Sequence, residues 1–160
     1  MKAITIHQPW ASLLACGAKR YETRSWQTKY RGPIAIHASV MKRKCYDFIG
    51  SAVIDVMEEA LISGQQSYLF NDLPHGGIIA TAMLVECWKV IEHTPTAIIL
   101  KQSNGIGEDK ISINDPCLKF GDYSVGRYVW GLTNMIMFPE PIPAKGQQGL
   151  WNWEDKSCKN

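Results

Sequence analysis

The stretch from Gly77 to Val90 most constrains the fold. It reads GIIATAMLVECWKV, rich in Ile, Val, Thr and Met and with no proline. Such residues fit a pleated, half-buried surface, so the segment is predicted as one long strand, or as two separated by a bulge. Other apolar segments are shorter. Ala3–Ile6 reads as a first strand and Ile34-Ala35-Ile36 as a short buried one, after a turn at Arg31-Gly32-Pro33. Ser124–Met137 is a further strand candidate. The prolines that follow, at 139, 141 and 143, forbid a central strand and predict an extended edge.

Two helices stand out. Gln8-Pro9-Trp10 opens the first, because proline at the first helical position forfeits no hydrogen bond; Ala11, Leu13, Leu14 and Ala15 form its apolar stripe, and Gly17 stops it. The second spans Lys42–Ile62, with apolar residues at 49, 53, 56, 57, 60 and 61 making one face. Gln65–Gly77 reads as loop. Lys145–Gly149 is a turn, followed by an aromatic closure in which Trp151 and Trp153 pack. Ala97–Leu100 is compatible with helix or strand and Ser103–Asp109 with loop. The connection around them is long for a compact domain, which marks a partner-facing insertion or partial disorder. Several strands with only two helices predict an α+β fold, a small β-barrel or strongly curved sheet with helices across its openings. Regular strand–helix alternation is missing, which disfavours a doubly wound sheet. A chain of 160 residues suits one domain over 1–160.

Five cysteines lie far apart, with no C-x-x-C pair, and four histidines are scattered. Neither a disulfide framework nor a zinc site is indicated, and no cofactor or metal is expected. The N-terminus reaches His7 and Gln8 before a signal-peptide core forms, and no apolar run is long enough to cross a membrane. The expectation is a soluble, cytoplasmic protein. The formal net charge of +2 hides an asymmetry: residues 1–50 carry nine Lys/Arg against two acids, a net of +7, while residues 51–160 carry a net of −5. This either places a basic face on a nearly neutral molecule or disperses once the chain folds.

The run Gly17-Ala18-Lys19-Arg20-Tyr21-Glu22-Thr23-Arg24-Ser25-Trp26 gathers charge at the end of the first helix. Tyr21–Trp26 reads as strand or extended loop. In a strand Glu22 and Arg24 share a face, with Lys19 reaching in from the turn. Glu22 would orient Arg24 by a bidentate bond and leave donors for a phosphate or carbonyl. The alternative is a plain surface salt bridge.

Gly17-x-Lys19-x-x-Glu22-x-Arg24 resembles the G-x-K-x-x-E-x-R signature of the ASCH domain, a member of the PUA-like superfamily. His7–Leu14, Arg24-Ser25-Trp26, Arg31-Gly32 and Ile34-x-Ile36-x-Ala38 are similar to its N-terminal half, in the version carried by a eukaryotic transcription coactivator. Tyr128-x-Trp130-x-Leu132 and the run from Pro141 to Trp151 resemble its closing segment. Residues 91–122 match no pattern. The resemblance implies a PUA-like β-barrel with flanking helices and a cleft lined by the signature, binding RNA or DNA, RNA foremost. It also implies rival functions. Some small members are nucleases, and one branch hydrolyses N4-acylated cytidine but carries Thr at the position of Glu22.

On this reading Lys19, Glu22 and Arg24 bind the ligand, and Lys19 and Glu22 are the catalytic pair if the chain is a ribonuclease or amidohydrolase. Trp10 and Trp26 flank the cluster as stacking platforms or core residues. Gln8 and Ser25 hydrogen-bond a base edge, and Tyr128 and Lys145 complete the wall. Glu86 is a second acid, facing either the cleft or the surface. The partner is RNA, DNA or a nucleoside-like small molecule, with a protein partner through 91–122 as a third possibility.

Overall fold

The computed structural model describes residues 1–40, 51–62, 72–103 and 105–154, with side chains from 54 onward in the second segment. Eight strands form one sheet: β1 (Lys2–Ile6), β2 (Tyr21–Arg24), β3 (Gly32–Ala38), β4 (Gly77–His93), β5 (Ala97–Gln102), β6 (Glu108–Ser112), β7 (Tyr128–Pro143) and β8 (Leu150–Asn152). Helices α1 (Trp10–Ala15) and α2 (Ser51–Ile62) and a short 3-10 helix, Pro116–Phe120, complete the described elements. The order is β2-β7-β4-β3-β1-β8, with β5 and β6 continuing from β4. This is the expected α+β class. The path has two ends, β2 and β8, so the ladders among the described residues do not close into the expected barrel.

β4 is the single long strand that its composition predicts, and bulges allow its length. It pairs with β3 through Leu84 and with β5 from Trp88 onward, while β7 follows it from Gly77 to Lys89. Register shifts interrupt all three ladders, and each bulge adds bend and twist. One strand thus serves two consecutive partners on the same edge.

The proline-rich end of β7 does lie at an edge. β2 pairs only with Tyr128–Gly131, so beyond that point β7 is laddered on the β4 side alone among the described residues. β3 begins at Gly32, inside the expected turn, because Gly32 and Pro33 already pair with Leu84 and Met83. The described residues of 91–122 carry structure of their own. Strands β5 and β6 form a hairpin, and Ile98, Leu100, Ile111 and Tyr123 share a core with Val90 and Val129.

Helix α1 packs Ala11, Leu14 and Ala15 onto the sheet core around Trp130, which is fully buried. Its opposite side, Leu13 and Cys16, meets Met57 and Leu61 of α2 together with Phe120. Val56, Met57, Ala60 and Leu61 therefore face inward as the helical spacing predicts; positions 42–50 of that predicted helix lie outside the described residues. Trp151 and Trp153 are buried against Ala3, Ala35 and Ile78, and Trp153 exchanges backbone hydrogen bonds with Met1. Among the described residues no helix is long and apolar enough to cross a membrane.

Candidate functional site

The site is built where α1 gives way to β2. Gly17 adopts φ +82°, which an L side chain resists, and its N–H donates to the Leu14 carbonyl at 3.0 Å. The N–H of Lys19 donates to the Leu13 carbonyl at 2.9 Å, which turns the chain back under the helix. The side chain of Lys19 consequently points inward and is 2% exposed. Its ammonium is ion-paired with Oε2 of Glu22. The other carboxylate oxygen, Oε1, lies 3.0 Å from Nε of Arg24, close enough for ion pairing but off the line of a directional hydrogen bond. Arg24 Nη2 donates to the carbonyl oxygen of Thr5 at 2.9 Å.

Glu22 therefore does not grip Arg24 in the bidentate manner read from the sequence. It divides its two oxygens between two cations, and the trio keeps one uncompensated positive charge. A buried pair is costly to leave half-made, so Glu22 fixes where both cations sit. Arg24 remains about a quarter exposed.

Two cavities meet at Arg24. The first, about 400 Å³, is lined by Trp10, Lys19, Glu22, Thr23, Arg24 and Met57, and by Lys119, Phe120, Gly121 and Asp122 from the end of the 3-10 helix. The second, about 730 Å³, is lined by Thr5, Trp26 and His37 and by the loop Lys145–Gly149. His7 and Arg24 border both cavities. Together the walls carry four Lys/Arg cations, at 19, 24, 119 and 145, against the carboxylates of Glu22 and Asp122. Hydrogen bonds from the Ser124 hydroxyl and N–H, and the nearby Arg127, hold the Asp122 carboxyl below the usual range against a smaller effect of burial.

Trp10 lines the first cavity while also packing on both sides of α1. Trp26 and Lys145 line the second, and the Trp26 ring stands edge-to-face on Trp130 at 4.7 Å. Gln8, Ser25 and Tyr128 border neither cavity. The Gln8 amide is spent inside the fold: it donates to Ser12 Oγ and the Pro74 carbonyl and accepts from the Ser12 N–H, which ties the start of α1 to the strand-leading loop. Ser25 is exposed just past β2, and Tyr128 packs against the sheet core. Glu86 turns away from the cleft, paired with Arg31 and accepting from the Cys87 N–H.

Reading the sequence missed His37, Lys119 and Asp122. The last two lie in the segment without a recognisable pattern. His37 alternates with Ile34 and Ile36 on an apolar strand, where nothing local separates a packed imidazole from a working one.

The sequence profile of the ASCH domain matches residues 4–141. This chain belongs to the ASCH domain family. Activating signal cointegrator 1 of Homo sapiens is 34% identical over 86 residues, 52% of this chain and 14% of that protein. Its Mus musculus counterpart is 36% identical over 84 residues, with the same coverage of both chains. The kinship is therefore with one part of much longer proteins. The ASCH match takes in α1, β2 and the whole first cavity, but ends before the Lys145–Gly149 loop that walls the second.

Proposed function

We propose that this ASCH domain binds nucleic acid, single-stranded RNA foremost, along the groove in which the two cavities meet. The observation that carries the reading is the junction itself: a partly exposed guanidinium, held in place by Glu22 and Thr5, shared by two cavities that each contain a tryptophan. Phosphate is suited to the fork of an arginine, and aromatic faces beside a basic groove are what sequence-tolerant strand binding uses. Lys119 and Lys145 extend the positive wall to either side. On this reading the bulged, open sheet is a PUA-like barrel with one seam left without a ladder.

Lys19 and Glu22 are paired with each other inside the fold, so Lys19 reaches a ligand less directly than Arg24 does. Its part here is to hold Glu22, and through it Arg24.

Anisotropy titration of a labelled single-stranded RNA tests the proposal. Three cation–phosphate contacts, at Arg24, Lys119 and Lys145, predict roughly a 20-fold loss of affinity between about 50 and 200 mM salt. Arg24→Glu should abolish binding at the lower salt. Absence of binding by the wild type, or wild-type affinity in Arg24→Glu, overturns the reading.

A further inference from the structure

The loop Lys145–Gly149 joins β7 to β8 and walls the second cavity. Its lead-in is seated on His37, a β3 residue with 1% of its surface exposed. Nε2 of His37 lies 3.0 Å from the carbonyl oxygen of Ala144, which can only accept, so Nε2 carries the proton and donates it. The Ala144 N–H donates to the Gly76 carbonyl at 3.2 Å. Both backbone groups of Ala144 are therefore held, one by β3 and one by the residue that precedes β4.

Gly146 closes the other edge of the ring. A Cβ at this position would stand 2.5 Å from Cε1 and 2.7 Å from Nδ1 of His37, and 2.9 Å from Thr5 Oγ1. Only a glycine backbone can lie so close, and it seals Nδ1, which is buried and receives no hydrogen bond among the described residues. Beyond the loop, Trp151 stands edge-to-face on the imidazole at 5.8 Å and donates from Nε1 to Thr5 Oγ1 at 3.2 Å. One buried ring thus touches the loop before, within and after its cavity-lining stretch. Between these anchors Lys145 is exposed and shares the second cavity with Arg24, and no carboxylate among the described residues lines that cavity.

We propose that His37 is a positioning residue for nucleic-acid binding: it seats the Lys145–Gly149 loop so that Lys145 meets a phosphate next to the one held by Arg24. The inference rests on the groove reading above and adds to it a residue that touches no ligand and acts through the loop. A backbone seated in advance need not be ordered when the strand arrives, which removes part of the cost of binding. His37 falls within the ASCH match at 4–141, whereas the loop it holds lies beyond that match.

The test compares His37→Leu, which removes the donor, with His37→Gln, which keeps an amide donor for Ala144. Without RNA, amide hydrogen exchange over residues 144–149 should be at least about ten-fold faster in His37→Leu than in wild type, and close to wild type in His37→Gln. With a labelled single-stranded RNA at about 50 mM salt, His37→Leu should bind several-fold more weakly, with the salt slope reduced by about one contact, and His37→Gln should restore both. The His37→Leu loss should vanish in a Lys145→Ala background and persist in full in a Lys119→Ala background, a pattern that a general loss of stability does not produce. Gly146→Ala presses a methyl group against the ring from the loop side and should reproduce the faster exchange and the weaker binding with β3 intact. A cooperative thermal transition checks that each variant folds. Wild-type exchange in both His37→Leu and Gly146→Ala, or a His37→Leu loss that adds in full to that of Lys145→Ala, overturns the positioning role while the groove reading stands. Failure of the wild type to bind RNA at low salt overturns both.

Discussion

Arg24 and Thr5 are joined by a hydrogen bond from Nη2 to the Thr5 carbonyl oxygen, 2.9 Å long, that ties β2 to the end of β1. The same threonine receives Trp151 Nε1 on its hydroxyl. One residue thus anchors the guanidinium through its backbone and the C-terminal aromatic closure through its side chain. Neither strand pairs with the other, so this contact bridges them beside the second cavity, which Thr5 and Arg24 both line.

Arg24→Lys should consequently be a poor replacement. A lysine keeps the charge but cannot hold Thr5, face Glu22 and present a fork to phosphate at once. RNA affinity is expected to fall about ten-fold with the salt slope little changed, because the charge is kept and only the fork is lost. Anisotropy titrations over a salt series check this, and wild-type affinity in Arg24→Lys contradicts a forked phosphate contact at Arg24.

Glu22→Gln should cost more in stability than in groove shape. It leaves the Lys19 ammonium buried without a counter-charge, and breaking such a pair costs about 3–5 kcal/mol. Lys19→Met should cost less, because Glu22 keeps Arg24 at its other oxygen. The double variant Lys19→Met/Glu22→Gln should recover much of the Glu22→Gln loss, because the desolvation cost goes with the charges. Urea denaturation of the four proteins closes the cycle, and additive losses contradict direct coupling.

Gly17→Ala isolates the turn from the site chemistry. A Cβ at Gly17 meets nothing within 4 Å, so only its φ of +82° resists the change. The expected cost is about 1–2 kcal/mol, smaller for Gly17→Asn, which tolerates this conformation. Equal stability of wild type and Gly17→Ala in denaturant melts contradicts this turn geometry.

Legibility in the sequence followed how local the cause was. Gly17 and the prolines of β7 impose backbone geometry by themselves, and both act where expected. β4 declared itself by composition, since β-branched residues fit a sheet whatever their partners. Lys19, Glu22 and Arg24 were readable as a group because period-two alternation and one turn bring them together. Their burial was not readable, for it depends on Met57 and Phe120 arriving from distant segments. Gln8 was misread for the same reason: an amide beside the cluster looks like a ligand contact until Pro74 is found to occupy it. His37 depends on Ala144 and Gly146, more than a hundred residues away, and no pattern along β3 records them.

His37 should also make stability depend on pH in a defined direction. Burial holds its folded pKa below 6.5, the ordinary value expected in the unfolded chain. Below pH 6.5 the unfolded state therefore binds more protons, so stability is full above that pH and is lost as pH falls toward the folded pKa. The contribution is at most about 1.4 kcal/mol per pH unit. His37→Gln, which has no such proton to gain, should flatten the profile in this window, above the carboxylate range. Thermal melts of both proteins across it decide the matter, and parallel profiles contradict the buried neutral ring.

The course of the strand is set by the lysines at the two ends of the groove. Lys119 and Lys145 are both exposed and line different cavities, so charge reversal at either should leave stability within about 0.5 kcal/mol. If one strand crosses both cavities through Arg24, Lys119→Glu and Lys145→Glu should each weaken RNA binding several-fold and each reduce the salt slope by about one contact. Asp122 gives the two ends different characters. Its carboxylate, paired with Arg127 at 3.2 Å, lines the first cavity together with Lys119, whereas no carboxylate among the described residues lines the second, so reversal at Lys145 should be the more damaging. Asp122→Asn should correspondingly tighten binding. Affinity and salt slope for the three variants on one RNA provide the check. A full effect at Lys145 with none at Lys119 or Asp122 would confine the strand to the second cavity.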